Sequence, residues 1–210
     1  MGYVPLMDRV LDWIDEGTAL CRAALADLEA PSLLPGWSRR HVAAHLALNA
    51  MALGNLVYWA KTGEKRPMYL SAEARNADIE EAAIRQPVLL RGWFDRSAAA
   101  LNAEMATLSD AQWQTQVRTA QGDPIPAIRI PWLRSREVLI HAVDLNTGLT
   151  FADLPEDFLT TLCQDIQTQR ADVPPVQGPL PEIAAYLAGR PYTNVTTSDG
   201  TPAAPLSPWL

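Results

Sequence analysis

The chain has 210 residues, 48% of them apolar and 20% charged, which suits one medium domain or a bundle with a small appendage; no stretch before the last residues is biased enough to predict disorder. A net charge of −7 with almost no lysine excludes general nucleic-acid binding, because no Lys/Arg stripe is available to displace counterions from phosphates. The opening segment Met1 to Asp8 lacks the basic start and apolar run of a signal peptide, and no later segment reads as apolar for long enough to span a bilayer; a cytoplasmic protein without membrane contact is expected.

From Val4 to Leu28 the residues Met7, Val10, Leu11, Ile14, Cys21, Leu25 and Leu28 recur at steps of three and four, which predicts a first amphipathic helix. Pro31 and Pro35-Gly36 break it. Ser38 then stands as the N-cap of a second helix running to about Thr62 and stopping at Gly63, with Val42, His45, Leu46 and Asn49 on its inner face. A third helical stretch opens near Ser71, and Pro87 either kinks or splits it before Leu90, Phe94, Leu101 and Met105 continue the pattern. Ser109 and Gln112 form a capping-box pair for a short turn of helix, and the alternation in Trp113 to Thr119, the turn Gln121 to Pro124, and then Ile128 and Ile130 predict a small hairpin or an extended excursion. Pro131 suits the first turn of a fourth helix carrying Leu133, Glu137, Ile140, His141 and Leu145 and closing at Gly148. Beyond it lie a helix from Pro155 to about Arg170, a loop through Pro174-Pro175, a short helix from Pro179 to Leu187 and a turn at Ser198-Asp199-Gly200. The fold expected is mainly α: a four-helix bundle over residues 1–150 with a small C-terminal α+β appendage over 151–210.

Cys21 and Cys163 are far apart, lack CxxC spacing and sit among apolar neighbours, so both read as core residues and any thiol the chemistry needs arrives from outside. The arginines concentrate at Arg39 and Arg40 and at Arg134 and Arg136, beside the histidine-bearing segments; the placement suits a small anionic ligand, although most such residues form a solvated helix face. Trp37, Trp59, Trp93 and Trp132 read as core.

All three histidines fall on two helices, His41 and His45 on the second and His141 on the fourth. Glu137 and His141, four apart, project from one helix face and can reach a single ion, with His45 closing the triangle from the facing helix. Two imidazoles and a carboxylate suit zinc or another first-row divalent ion and leave a coordination position open. The competing reading of a histidine on an apolar face is a core residue with its nitrogens satisfied. His41 stays open between ligand, partner of a ligand and part of the capped first turn.

The stretch Leu34-Pro35-Gly36-Trp37-Ser38-Arg39-Arg40-His41-Val42-Ala43-Ala44-His45-Leu46-Ala47-Leu48-Asn49-Ala50 closely resembles the second-helix signature of the mycothiol-dependent maleylpyruvate isomerases. Ile130 to Leu145, followed by Gly148 and Phe151-Ala152-Asp153-Leu154-Pro155, resembles the same family's fourth-helix segment. The resemblance covers residues 1 to about 170. It implies a DinB-like (YfiT-like) bundle whose second and fourth helices bind a divalent metal, zinc foremost, through His45, Glu137 and His141. It implies Arg75 as a partner for a substrate carboxylate and Arg190 as a second arginine of the site. It further implies a low-molecular-weight thiol, mycothiol or else glutathione or bacillithiol, acting on a small anionic dicarboxylate in a chain that is a monomer or homodimer. The reaction implied is maleylpyruvate to fumarylpyruvate by thiolate addition, rotation and elimination in the gentisate route. The alternatives are a metal-dependent thiol S-transferase for detoxification and a non-catalytic DinB-like metal-binding protein. Gly178-Pro179-Leu180 and Leu187-Ala188-Gly189-Arg190 match the family's C-terminal stretches with strands missing between them, so that region is expected to be shortened.

Overall fold

The structure, a computed structural model, describes residues 4–170, 173–207 and 209, and divides into one compact unit ending at Thr147 and a second beginning at Gly148. Residues 1–3 of the opening segment and residues 171 and 172 before the Pro174-Pro175 loop lie outside the described residues.

The first unit is built on α1 (Val4–Ala24), α2 (Arg39–Thr62), α3 (Ala72–Ala83), α4 (Pro87–Met105), the short α5 (Asp110–Trp113) and α6 (Ile130–Asp144), with α1 packed along α6 and α2 against α3, α4 and α6. Pro87 splits the third stretch: it occupies the first turn of α4, where a missing N–H costs nothing, and Ile84 ends α3. Helix α1 ends at Ala24, short of Leu28, and Leu11 is partly exposed, but Val10, Ile14, Cys21, Leu25 and Leu28 are buried as the periodicity requires. Gly17 lets α1 lie close on α6, since a Cβ there would stand 2.5 Å from Val138 Cγ2 and 3.0 Å from the Leu139 nitrogen. One core cluster joins Ile14, Leu53, Leu56, Val57, Leu101, Met105 and Ile130.

Helix α2 corrects one expectation. Among the described residues it is long and apolar enough to cross a membrane, with a mean hydropathy of 1.2 over its 18-residue window, of which 67% is buried inside the fold. Its composition follows from its neighbours: touching α3, α4, α5 and α6, it has little surface left to be polar. It stops at Gly63, whose φ of 77° is left-handed and whose N–H donates to the Trp59 carbonyl at 2.9 Å.

The hairpin is smaller and earlier than the alternation suggested. β1 (Gln116–Arg118) pairs antiparallel with β2 (Pro124–Pro126), Val117 opposite Ile125, while Ile128 lies in a 3-10 turn and Ile130 opens α6. Two prolines in a three-residue strand leave few ladder donors, so the pairing cannot extend. Helix α6 ends at Asp144, before the expected Gly148, with Asn146 left-handed at φ 56°.

The second unit contains α7 (Glu156–Gln169), α8 (Leu180–Leu187) and the two-residue strands β3 (Val176–Gln177) and β4 (Thr196–Thr197), paired antiparallel. Phe158, Leu162, Ile166, Ala184, Tyr186 and Leu187 are among its buried residues. Strands this short leave no period in the sequence, so the α+β reading of this region could not place them.

Candidate metal centre

The i, i+4 spacing on α6 puts Glu137 and His141 on one face, and α2 brings His45 opposite. One ligand atom from each of the three lies within 4.8 Å of the other two. His45 Nε2 is 2.9 Å and His141 Nε2 3.4 Å from Glu137 Oε2, and the two imidazoles meet edge-on with ring centroids 4.8 Å apart.

Ligands about 2.0–2.1 Å from a tetrahedral ion stand roughly 3.3 Å from one another, so two edges of the triangle already have the needed length and a modest closing of the imidazoles completes it. The donor set, two nitrogens and one carboxylate oxygen, fits a divalent first-row ion. His141 is further oriented by Asp144, whose Oδ2 lies 2.8 Å from its Nδ1 and so turns Nε2 toward Glu137.

Burial and mutual contact set the charges. Burial pushes the His45 imidazole down to about 4, only partly offset by Glu137. For Glu137 burial acts upward, but contacts with His141 and His45 outweigh it and hold the carboxyl well below its usual range. Burial likewise disfavours a cationic His141, yet Asp144 and Glu137 on its two ring nitrogens raise its pKa above the ordinary value.

Arg75, on α3, enters the same cluster. Its Nη2 lies 3.1 Å from His45 Nδ1, its Nη1 donates to Asn76 Oδ1 at 3.1 Å, and its guanidinium stands 5.9 Å from the Tyr69 ring centre. Arg190 belongs to the second unit, where its side chain is buried and Nη1 donates to the Ala188 carbonyl at 2.9 Å.

Several residues not assigned to the site from the sequence also belong here. Arg134 is fully buried rather than solvated; its Nη1 donates to the Leu46 carbonyl at 2.9 Å and to Asn49 Oδ1 at 2.8 Å, clamping α6 to α2 one residue and one turn past His45. Desolvation lowers its pKa to about 10, opposed by Cys21, Glu137 and Tyr69. Its signal in the sequence is the spacing 134, 137, 141, one stripe of a helix. Trp37 is only half-buried and lies over the site, its ring 5.7 Å from that of His45. Tyr69 has its phenol pushed up to about 12, by burial first and by Glu137 next.

His41 stays outside the triangle. The Ser38 N–H donates to its Nδ1 at 3.1 Å, which makes it part of the cap of α2, and its Nε2 is 3.4 Å from Glu80 Oε2. Arg39 and Arg40 tie down helix ends rather than face a ligand: Arg39 donates to the Leu145 and Asn146 carbonyls after α6, and Arg40 to those of Ala83 and Arg85 at the end of α3. Cys21 and Cys163 are buried and free, their thiols pushed up to about 12 and about 11 by burial.

The family model for the mycothiol maleylpyruvate isomerase N-terminal domain matches residues 11–146. No curated protein sequence matches the chain. A crystal structure of a mycothiol-dependent maleylpyruvate isomerase superposes with a TM-score of 0.87 at 38% identity, covering 95% of this chain and 96% of that one; the structure of its histidine-to-alanine mutant gives 0.87 at 37% identity, with the same shares covered. With 96% of the relative spanned, the C-terminal region is not shortened against it, which corrects the expectation from the sequence. The fold is therefore the DinB-like helical bundle of these proteins, and the chain belongs to the mycothiol maleylpyruvate isomerase family.

Proposed function

We propose that this protein is a thiol- and divalent-metal-dependent cis-trans isomerase that converts maleylpyruvate to fumarylpyruvate, working in the cytoplasm where low-molecular-weight thiols stay reduced. The observation that carries the reading is the convergence of His45, Glu137 and His141 on one point, in a chain whose relatives bear that activity in their name. Residues 1–150 would supply the metal centre.

His45, Glu137 and His141 would hold the ion, zinc by donor type, with Asp144 fixing the His141 ring. The metal, when bound, lowers the pKa of an incoming thiol, and the thiol supplies the reversible addition that lets the substrate double bond rotate. Arg75 would pair with a substrate carboxylate and hold the alkene in line for attack. Neither cysteine takes part, since burial keeps both protonated at neutral pH.

The test is turnover of maleylpyruvate by zinc-loaded protein with mycothiol, glutathione or bacillithiol, followed by product analysis. Fumarylpyruvate formed with the thiol regenerated supports the reading. Conjugates that consume the thiol would make the protein an S-transferase, and no turnover with any thiol would leave a binding protein.

A further inference from the structure

Tyr69, in the segment that joins α2 to α3, is fixed by its neighbours in the chain. On one side Asn55 Nδ2, from α2, donates to the Pro67 carbonyl at 3.1 Å, and Met68 packs on the core cluster. On the other side Ser71 caps α3 by accepting from the Ala74 N–H at 3.1 Å. Between these anchors Leu70 is 92% exposed and Tyr69 half-buried. The Tyr69 ring centre is 5.9 Å from the guanidinium carbon of Arg75, and Nη2 of that guanidinium is 3.1 Å from His45 Nδ1. One side chain therefore separates the phenol from a metal ligand.

The hydroxyl there is a donor without an acceptor. Arg75 carries N–H groups only, so it can serve the phenol oxygen but cannot take the phenol proton. Among the described residues no other group accepts from the Tyr69 O–H. Burial first, and the Glu137 charge next, push its pKa up to about 12, so the proton stays on oxygen at neutral pH.

The substrate supplies the acceptor. In a cis alkene the carboxylate on one carbon and the conjugated carbonyl on the other lie on the same side. A carboxylate paired with Arg75 thus brings that carbonyl to the neighbour of Arg75. When a thiolate sulfur bonds to the alkene carbon bearing the carboxylate, the π pair moves toward the carbonyl and leaves an enolate oxygen. Rotation about the new single bond follows, the enolate pair returns to remake the double bond, and the carbon–sulfur bond breaks to release the thiolate. A neutral donor aimed at the oxygen lowers the barrier without giving up its proton.

We propose that Tyr69 is a catalytic residue whose hydroxyl donates to the substrate carbonyl oxygen as it becomes an enolate. The proposal rests on the isomerase reading above and adds to it the group that stabilises the intermediate.

The experiment compares zinc-loaded full-length protein with its Tyr69→Phe variant, which keeps the ring and loses only the hydroxyl. The readouts are zinc content, kcat and KM for maleylpyruvate, and the inhibition constant of the saturated analogue, which has both carboxylates but no alkene to attack. Tyr69→Phe is expected to lower kcat by about 100-fold, the scale of one lost oxyanion donor, while zinc content is unchanged and KM and the inhibition constant move by less than about threefold. A kcat within about threefold of the parent overturns the proposal and leaves the isomerase reading standing. Lost zinc, or an inhibition constant raised together with KM, makes Tyr69 a packing or binding residue and overturns it equally. No turnover by the parent protein with any thiol removes the isomerase reading, and the role of Tyr69 with it.

Discussion

Arg75 Nη2 stands 3.1 Å from His45 Nδ1. A guanidinium has donors only, so Nδ1 must be the acceptor, and the ring proton of neutral His45 sits on Nε2, facing Glu137 Oε2 at 2.9 Å. Coordination through Nε2 needs that lone pair free, which moves the proton to Nδ1 and sets two donors against each other.

Loading with zinc is therefore expected to release Arg75 from His45. Side-chain NMR of the arginine guanidinium groups should show one resonance shifting in step with metal, and Arg75→Leu should remove it. The same variant should raise KM for the dicarboxylate by about 10- to 100-fold, the scale of a lost charge-assisted hydrogen bond. An Arg75 signal indifferent to metal would contradict the exchange.

His45→Ala and His141→Ala are each expected to abolish stoichiometric metal, because either leaves two ligands from a triangle of three. Elemental analysis of purified protein checks this, with His41→Ala as the control that keeps its metal. Stoichiometric zinc in either ligand variant would break the assignment.

In metal-stripped protein, acid should act through His45 and Glu137. His45 is held neutral down to about 4, so below its ordinary 6.5 the unfolded chain takes up a proton the native chain refuses, and stability falls as pH drops across that window. The full shift corresponds to on the order of 3 kcal/mol. The stability owed to ionised Glu137 is present above its ordinary 4.5 and is lost as pH falls through its lower folded value. His141 has the opposite sign, stabilising below 6.5 and losing that effect as pH rises through its raised folded value. Urea unfolding between pH 4 and pH 7 measures the slope, and His45→Gln should flatten it; an unchanged slope would refute the assignment.

Arg134→Met should lower stability by about 2 kcal/mol, because the Leu46 carbonyl and Asn49 lose their buried donor and relief of the desolvated charge offsets only part of that loss. The urea midpoint of metal-stripped protein reports it. Slackening of α2 against α6 should also weaken zinc retention during dialysis, and equal stability with equal retention would remove Arg134 from the site.

Legibility in the sequence followed the range of the interaction. Helix periods, the Ser38 and Pro131 start signals and the i, i+4 pair of Glu137 and His141 act over a few residues of chain, so they could be read directly. Arg134 and Trp37 were misread because their environment comes from another helix: an arginine looks solvated until Leu46 and Asn49 are seen to accept from it. The strands of the second unit were invisible because two residues cannot show an alternation.

What the sequence determined by itself was which side chains share a face, since covalent spacing and the helical repeat place Glu137 above His141 whatever surrounds them. Only the tertiary structure decided that α2 lies against that face with His45 opposite, and that Arg75 reaches the same imidazole. Those meetings join residues 92 and 30 positions apart, and only packing brings such distant parts of the chain together.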